Sequence, residues 1–200
     1  EKKELQGIPL TAIDPQIDPG QIRYNHLLLK LDRKKGCVDF GIQGPNEKLP
    51  ESIEELHQMG DQYWLFALGR ELDDAILHLS FNEPELGTWV FHTEGNISNA
   101  VDYEQFLIDQ SDDWLTREII LFLKRVLKRI DLSARSLISL IEPGSCFAGF
   151  LLELVLASDR SYMLEGSFED SEEPAPVIIA TSMNFGSLPM CNCLLYTSDA

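Results

Sequence analysis

The chain has 200 residues, 44% of them hydrophobic, and a formal charge of −17 at pH 7. That length suffices for one sizeable core, while the acidic balance excludes general nucleic-acid binding, which needs a basic face against phosphate. No apolar run approaches the roughly 18 residues that cross a bilayer, and the first residues do not read as a charged-then-apolar leader.

Residues 1–20 are polar and Pro-containing and predict an interdomain linker that follows an upstream domain; with no initiator Met, the chain reads as a fragment. Residues 24–33 and 36–41 predict a hairpin closed by the charged turn Arg33, Lys34, Lys35 and Gly36. Residues 50–79 predict a helix, because Trp64 or Leu65, Leu68, Leu72, Ala75 or Ile76, and Leu79 recur every three or four positions. Ser52 and Glu55 have the spacing of a capping box at its start. Residues 88–93 predict a strand, and residues 113–130 an amphipathic helix with Leu115, Ile119, Phe122, Val126 and Ile130 inward. The acidic start of that helix (Asp112, Asp113) and its basic end suit the helix dipole.

Residues 136–164, SLISLIEPGSCFAGFLLELVLASDRSYML, carry the most information. An apolar run from Leu137 to Ile141 stops at Glu142, Pro143 and Gly144, and helical phase resumes with Phe147, Leu151, Leu154 and Val155. This reads as strand, elbow, helix and second strand, the last over residues 160–164. An acidic loop over residues 165–176 and a strand over residues 177–181 follow, and residues 193–200 read as a non-native read-through tail. Strands alternating with helices imply an α/β fold with covered sheet faces.

The elbow is the candidate site. Glycine at a strand-to-helix junction lets free amides, here those of Gly149 and Phe150, approach a ligand oxygen, and the helix dipole favours negative charge there. This is the physics of an oxyanion hole. Glu153 in the same apolar segment could act as general acid or base, or pair with Arg160, or cap a neighbouring turn. Cys146 could be a nucleophile, though no His lies near it in sequence and a buried small side chain is the common fate of Cys.

Other features admit structural readings. Cys37 and Cys146 are solitary, and Cys191 and Cys193 fall near the tail, so no zinc pattern emerges. His26, His78 and His92 are scattered. The basic face over residues 117–129 is either solvated or a phosphate contact. Arg70, Glu71, Asp73 and Asp74 form a charge cluster that is either a structural network or a contact to another module.

The elbow segment resembles the crotonase (enoyl-CoA hydratase/isomerase) superfamily, with Gly149, Glu153, Leu154 and Asp159 at the matching positions. The family's triple Gly is replaced by Ala148, Gly149 and Phe150. The first oxyanion turn is replaced by Thr93, Glu94, Gly95 and Asn96. Longer blocks, residues 70–96, 114–119, 158–164 and 183–190, resemble the C-terminal half of the benzoyl-CoA-dihydrodiol lyase family. The resemblance implies a crotonase-like spiral of ββα units, here an incomplete second module over residues 21–192. It implies a cytoplasmic lyase that opens the ring of 2,3-epoxybenzoyl-CoA, with coenzyme A as part of the substrate and no separate cofactor or metal. The implied partners are an N-terminal crotonase module of the same protein and further copies in a homo-oligomer. The alternative is a non-catalytic scaffold or dimerisation module.

Overall fold

Alternation of apolar and polar residues dictates the strands, and the computed structural model, which describes residues 7–167 and 174–188, sets them in one mixed sheet. β1 (Gln16–Asp18), β2 (Gln21–Arg23), β3 (Leu27–Asp32) and β4 (Cys37–Gln43) pair antiparallel in succession. β5 (Thr88–Glu94), β6 (Ser136–Ile141) and β7 (Arg160–Met163) then add in parallel, giving a seven-stranded sheet in chain order. The fold class is α/β. The predicted hairpin forms as β3 and β4, with Leu27 opposite Ile42 and Asp32 opposite Cys37. Its turn is closed by the Asp32 carboxylate, which accepts the amides of Lys34 and Lys35 at 3.1 and 3.0 Å. Within the region read as a linker, residues 16–18 pair in the sheet and Thr11 bonds the Asp61 carboxylate.

The helices follow their apolar periods with three differences. The helix predicted over residues 50–79 is broken into α1 (Ile53–Met59), a 3-10 turn (Gly60–Gln62) and α2 (Trp64–Asn82). Only half of the capping box forms. Ser52 Oγ accepts the Glu55 amide at 3.3 Å, while the Glu55 carboxylate turns to the Glu51 amide at 2.7 Å. An unpredicted helix, α3 (Ile97–Asp109), starts at Asn96, whose side chain accepts the amides of Ser98 and Asn99. Its buried positions include Glu104 among Ala100, Tyr103 and Leu107, and this charge in the apolar stripe blurs the period. α4 (Trp114–Asp131) matches its prediction and is capped by Asp113, which accepts the amides of Leu115 and Thr116 at 2.8 and 3.3 Å. α5 (Phe150–Ala157) is buried along most of its length. The strand predicted over residues 177–181 reduces to a single bridge between Ala148 and Ile179, followed by a 3-10 turn (Ser182–Phe185).

One sheet face carries the core: Val38, Phe40 and Ile42 of β4, Trp89 and Phe91 of β5, and Leu137 and Ile141 of β6 are buried with the inward faces of α2 and α4. The other face holds Leu28, Lys30, Asp39, Val90, His92, Ile138 and Leu140, none of them buried. Parallel strands are ordinarily covered on both sides, so the expectation of two covered faces fails among the described residues.

Helix α2 ties the sheet to the rest through its charged residues. Arg70 bonds Asp61 at 2.6 Å and the Thr11 carbonyl at 2.6 Å, Asp73 pairs with Arg129 at 3.0 Å, and Asp74 accepts the Tyr24 hydroxyl at 2.9 Å. Glu71 accepts the backbone amides of Asn25 and His26 at 3.2 and 2.8 Å, which fixes the β2–β3 turn. The cluster read from the sequence as a network or an intermodule contact is thus a structural network.

Burial pushes the Glu71 carboxyl up to about 7 from its ordinary 4.5, against the two amides that pull it down. Because the folded-state value lies above the unfolded one, Glu71 favours the folded chain most below about pH 4.5, and that advantage fades as pH rises to about 7. Glu71→Gln, which keeps an acceptor and cannot titrate, should remove this part of the stability-against-pH slope. The expected difference is on the order of 2 kcal/mol across the window. Denaturant unfolding of both proteins between about pH 5 and 8 checks it, and parallel curves would exclude Glu71 as the source.

Candidate functional site

The elbow lies where the C-terminal ends of three parallel strands meet. The Gly44 amide donates to the Glu94 carbonyl at 2.8 Å and the Gly95 amide to the Gly144 carbonyl at 3.0 Å, lacing the ends of β4, β5 and β6 together. Within the loop after β6, the Glu142 amide donates to Ser145 Oγ at 3.0 Å, and the Cys146 amide to Thr93 Oγ1 at 2.9 Å. A Cβ on Gly95 would stand 3.0 Å from the Gly44 Cα, and one on Gly44 would stand 3.0 Å from Cys146 Sγ, so the crossing has no room for side chains. Cys146 is fully buried and burial pushes its thiol up to about 11, which makes it a poor nucleophile.

Every amide from Gly149 to Glu153 is donated within the chain. The Gly149 amide meets the Ile179 carbonyl at 3.1 Å, and the Phe150 amide meets the Glu104 carboxylate at 2.6 Å. Leu151 and Leu152 both return to the Ala148 carbonyl, at 2.9 and 3.4 Å, and Glu153 returns to the Gly149 carbonyl at 3.2 Å. The two amides read from the sequence as oxyanion donors therefore sit at the predicted junction with their hydrogens already placed. An external oxygen could reach them only by displacing Ile179 or Glu104.

The side chains around them form a buried polar network. Glu153, fully buried on α5, accepts from Asn184 Nδ2 at 2.5 Å, and the same amide group donates to the Gly149 carbonyl at 2.8 Å. The Thr181 hydroxyl donates to Glu104, and Asn184 Oδ1 accepts the Thr181 amide at 2.9 Å. Burial raises the Glu104 carboxyl, the Thr181 hydroxyl and Phe150 amide pull it back, and neighbouring Glu153 raises it further. Arg160, considered as a partner for Glu153, lies exposed on β7, and Asn184 takes that place. Sequence reasoning missed Glu104, Thr181 and Asn184. Asn184 falls inside a block that carried the family resemblance, but nothing local marks the other two.

Open space lies elsewhere. A cleft of about 660 Å³ opens on the bare sheet face, and the elbow contributes Glu142, Pro143 and Ser145 to it but none of Gly149, Phe150 or Glu153. In that cleft His92 stands between Asp39 and Glu142, at 3.6 and 3.8 Å. On the basic face of α4, Arg129 pairs with Asp73, Lys128 with Asp131 at 2.8 Å, and the Arg125 guanidinium lies 5.4 Å from the Phe122 ring centroid. A phosphate there would compete with these partners. Among the described residues no cluster of His, Cys, Asp and Glu is placed to hold a metal ion, and no helix is long and apolar enough to cross a membrane. Cys191, Cys193 and the tail over residues 193–200 lie outside the described residues.

Gly149 takes φ +49°, and a Cβ there would overlap the three carboxyl atoms of Glu104. Both the backbone conformation and the contact demand glycine. Gly149→Ala should therefore cost about 2–5 kcal/mol of folding stability, rather than acting on turnover alone. Urea unfolding measures this, and a variant as stable as the parent sequence would contradict the geometry.

No family model matches the chain. It is 39% identical over 189 residues to the benzoyl-CoA-dihydrodiol lyase of Aromatoleum evansii, covering 94% of this chain and 33% of that protein. The chain thus spans about a third of the length of the curated relative it matches. Among solved structures, the enoyl-CoA hydratase of Geobacillus kaustophilus HTA426 overlaps with a TM-score of 0.46 and 16% identity, over 72% of this chain and 47% of the other. The enoyl-CoA hydratase of Bacillus halodurans overlaps with a TM-score of 0.44 and 17% identity, over 68% and 49%. Across nearly its whole length, the chain is similar to a third of that benzoyl-CoA-dihydrodiol lyase.

Proposed function

We propose that the protein to which this chain belongs is a carbon-carbon lyase acting on a benzoyl-CoA-derived thioester, and that this chain is the part that supports the reaction without polarising the thioester. The lyase reading is supported by 39% identity over 94% of the chain to a protein of that name. The finer reading is the hydrolytic opening of 2,3-epoxybenzoyl-CoA. Two waters are consumed: one opens the epoxide, both carbon-carbon bonds to one ring carbon break, the second water carries that carbon off as formate and a proton, and a dehydroadipyl-CoA semialdehyde remains. Water supplies the added oxygen and hydrogen, and the epoxide is already at the oxidation level of the products, so no further oxidant or reductant is needed. Coenzyme A belongs to the substrate, and the residues that activate it lie in an N-terminal crotonase-like module. The setting is cytoplasmic, where CoA thioesters are held, and a homo-oligomer is the proposed assembly.

The observation that carries the supporting role is the engagement of both elbow amides, Gly149 with Ile179 and Phe150 with Glu104. Stabilising a thioester oxyanion needs donors aimed at developing charge, and losing one such donor costs about 2.7–4 kcal/mol of transition-state stabilisation. An elbow whose donors are spent offers none of that. Glu153 is fully buried and held by Asn184, which suits a structural carboxylate rather than one exchanging protons with a ligand.

The test uses two proteins and one assay, formate release from 2,3-epoxybenzoyl-CoA. The full-length protein should turn over the substrate, and the 200-residue chain alone should not. In the full-length protein, Glu153→Gln should lower the melting temperature while kcat changes by less than about tenfold, a factor of ten in rate being about 1.4 kcal/mol. Formate release by the short chain would overturn the supporting role. Absence of release by the full-length protein would overturn the lyase reading.

A further inference from the structure

Glu104 is an acid in the wrong kind of place. It sits on α3 at 1% exposure, within an apolar stripe, where an ionised carboxylate is unfavourable unless donors surround it. Its donors come from two segments far along the chain: the Phe150 amide at 2.6 Å, which is the first residue of α5, and the Thr181 hydroxyl. Gly149, just before that helix, keeps the approach open, since any Cβ would overlap the carboxyl group. The start of a helix presents amide hydrogens and positive dipole to a negative ligand, and here the negative group is supplied by the protein.

We propose that Glu104 is the elbow's own anion: a carboxylate carried in from α3 that occupies the place an external oxyanion would need at the start of α5. The elbow is thus a monocarboxylate-binding nest closed by its own chain. Glu104 fastens α3 to α5 and to the segment around Thr181, and in doing so blocks the Phe150 amide. This inference goes beyond the lyase reading and does not depend on it, because it concerns a contact that exists whether or not the full-length protein has activity.

Removing the side chain should leave a vacant nest that a small carboxylate can fill. In Glu104→Ala the melting temperature should fall by roughly 6–20 °C, the scale of two charge-assisted hydrogen bonds lost in a chain of this size. Sodium formate should then restore several degrees, saturably, beyond the effect of sodium chloride at equal ionic strength. The unaltered chain should gain no more from formate than from chloride. Glu104→Gln keeps the shape and one acceptor without the charge; it should melt below the unaltered chain and be indifferent to formate, because its side chain fills the nest. If Glu104→Ala is recovered only unfolded, refolding yield in formate against chloride is the readout, with a higher yield in formate expected. Equal responses to formate and chloride in Glu104→Ala would overturn the nest. A Glu104→Gln variant as stable as the unaltered chain would overturn the role of the charge.

Discussion

Desolvation of carboxylates is the constraint around which this chain is organised. An acid taken out of water must find donors, and donors within its own helix are already spent on the helix. Each buried acid therefore reaches across the fold. Glu71 reaches the β2–β3 turn, Asp61 reaches Thr11 and Arg70, Glu104 reaches Phe150 and Thr181, and Glu153 reaches Asn184. Apart from Asp61–Arg70, nine residues apart, these bonds join segments dozens of residues apart, so they fix tertiary arrangement where apolar packing alone is tolerant of rearrangement. A chain with a net charge of −17 has turned part of its acidity into internal fastening.

The same constraint separates the two places where chemistry was to be sought. The elbow has the local form of an anion site, yet its interior is filled by carboxylates and its amides are engaged. The open cleft lies over the uncovered sheet face, with the His92 imidazole between two acids and Arg23 and Lys30 in its lining. A strand-turn-helix pattern announces amides at a junction. It does not announce whether the molecule keeps them for itself.

Much of the frame was legible from residue patterns. The β3–β4 hairpin, β5, α4 and the β6-to-α5 elbow all stand where period and turn chemistry put them, and Asp113, read as part of an acidic start that suits the helix dipole, is also the cap of α4. Other elements were not legible, for identifiable reasons. β1 and β2 have three residues each, too few to display alternation. Helix α3 was obscured by Glu104 in its apolar stripe, and the strand read over residues 177–181 contributes one bridge because its apolar residues, Val177 and Ile178, are largely exposed.

The sequence by itself determined the α/β class, the sites of the main turns, and a likeness carried by long ordered blocks, because these depend on neighbours within a few residues or on shared descent. Only the tertiary structure decided which amides remain available and what the buried acids do. Glu104 lies 46 residues before the amide it binds and 77 before the hydroxyl, and no local pattern encodes a partner at that distance. Whether a helix start receives a ligand or the chain's own carboxylate depends on what packing brings to it, and that is settled only when α3, α5 and the segment around Thr181 meet.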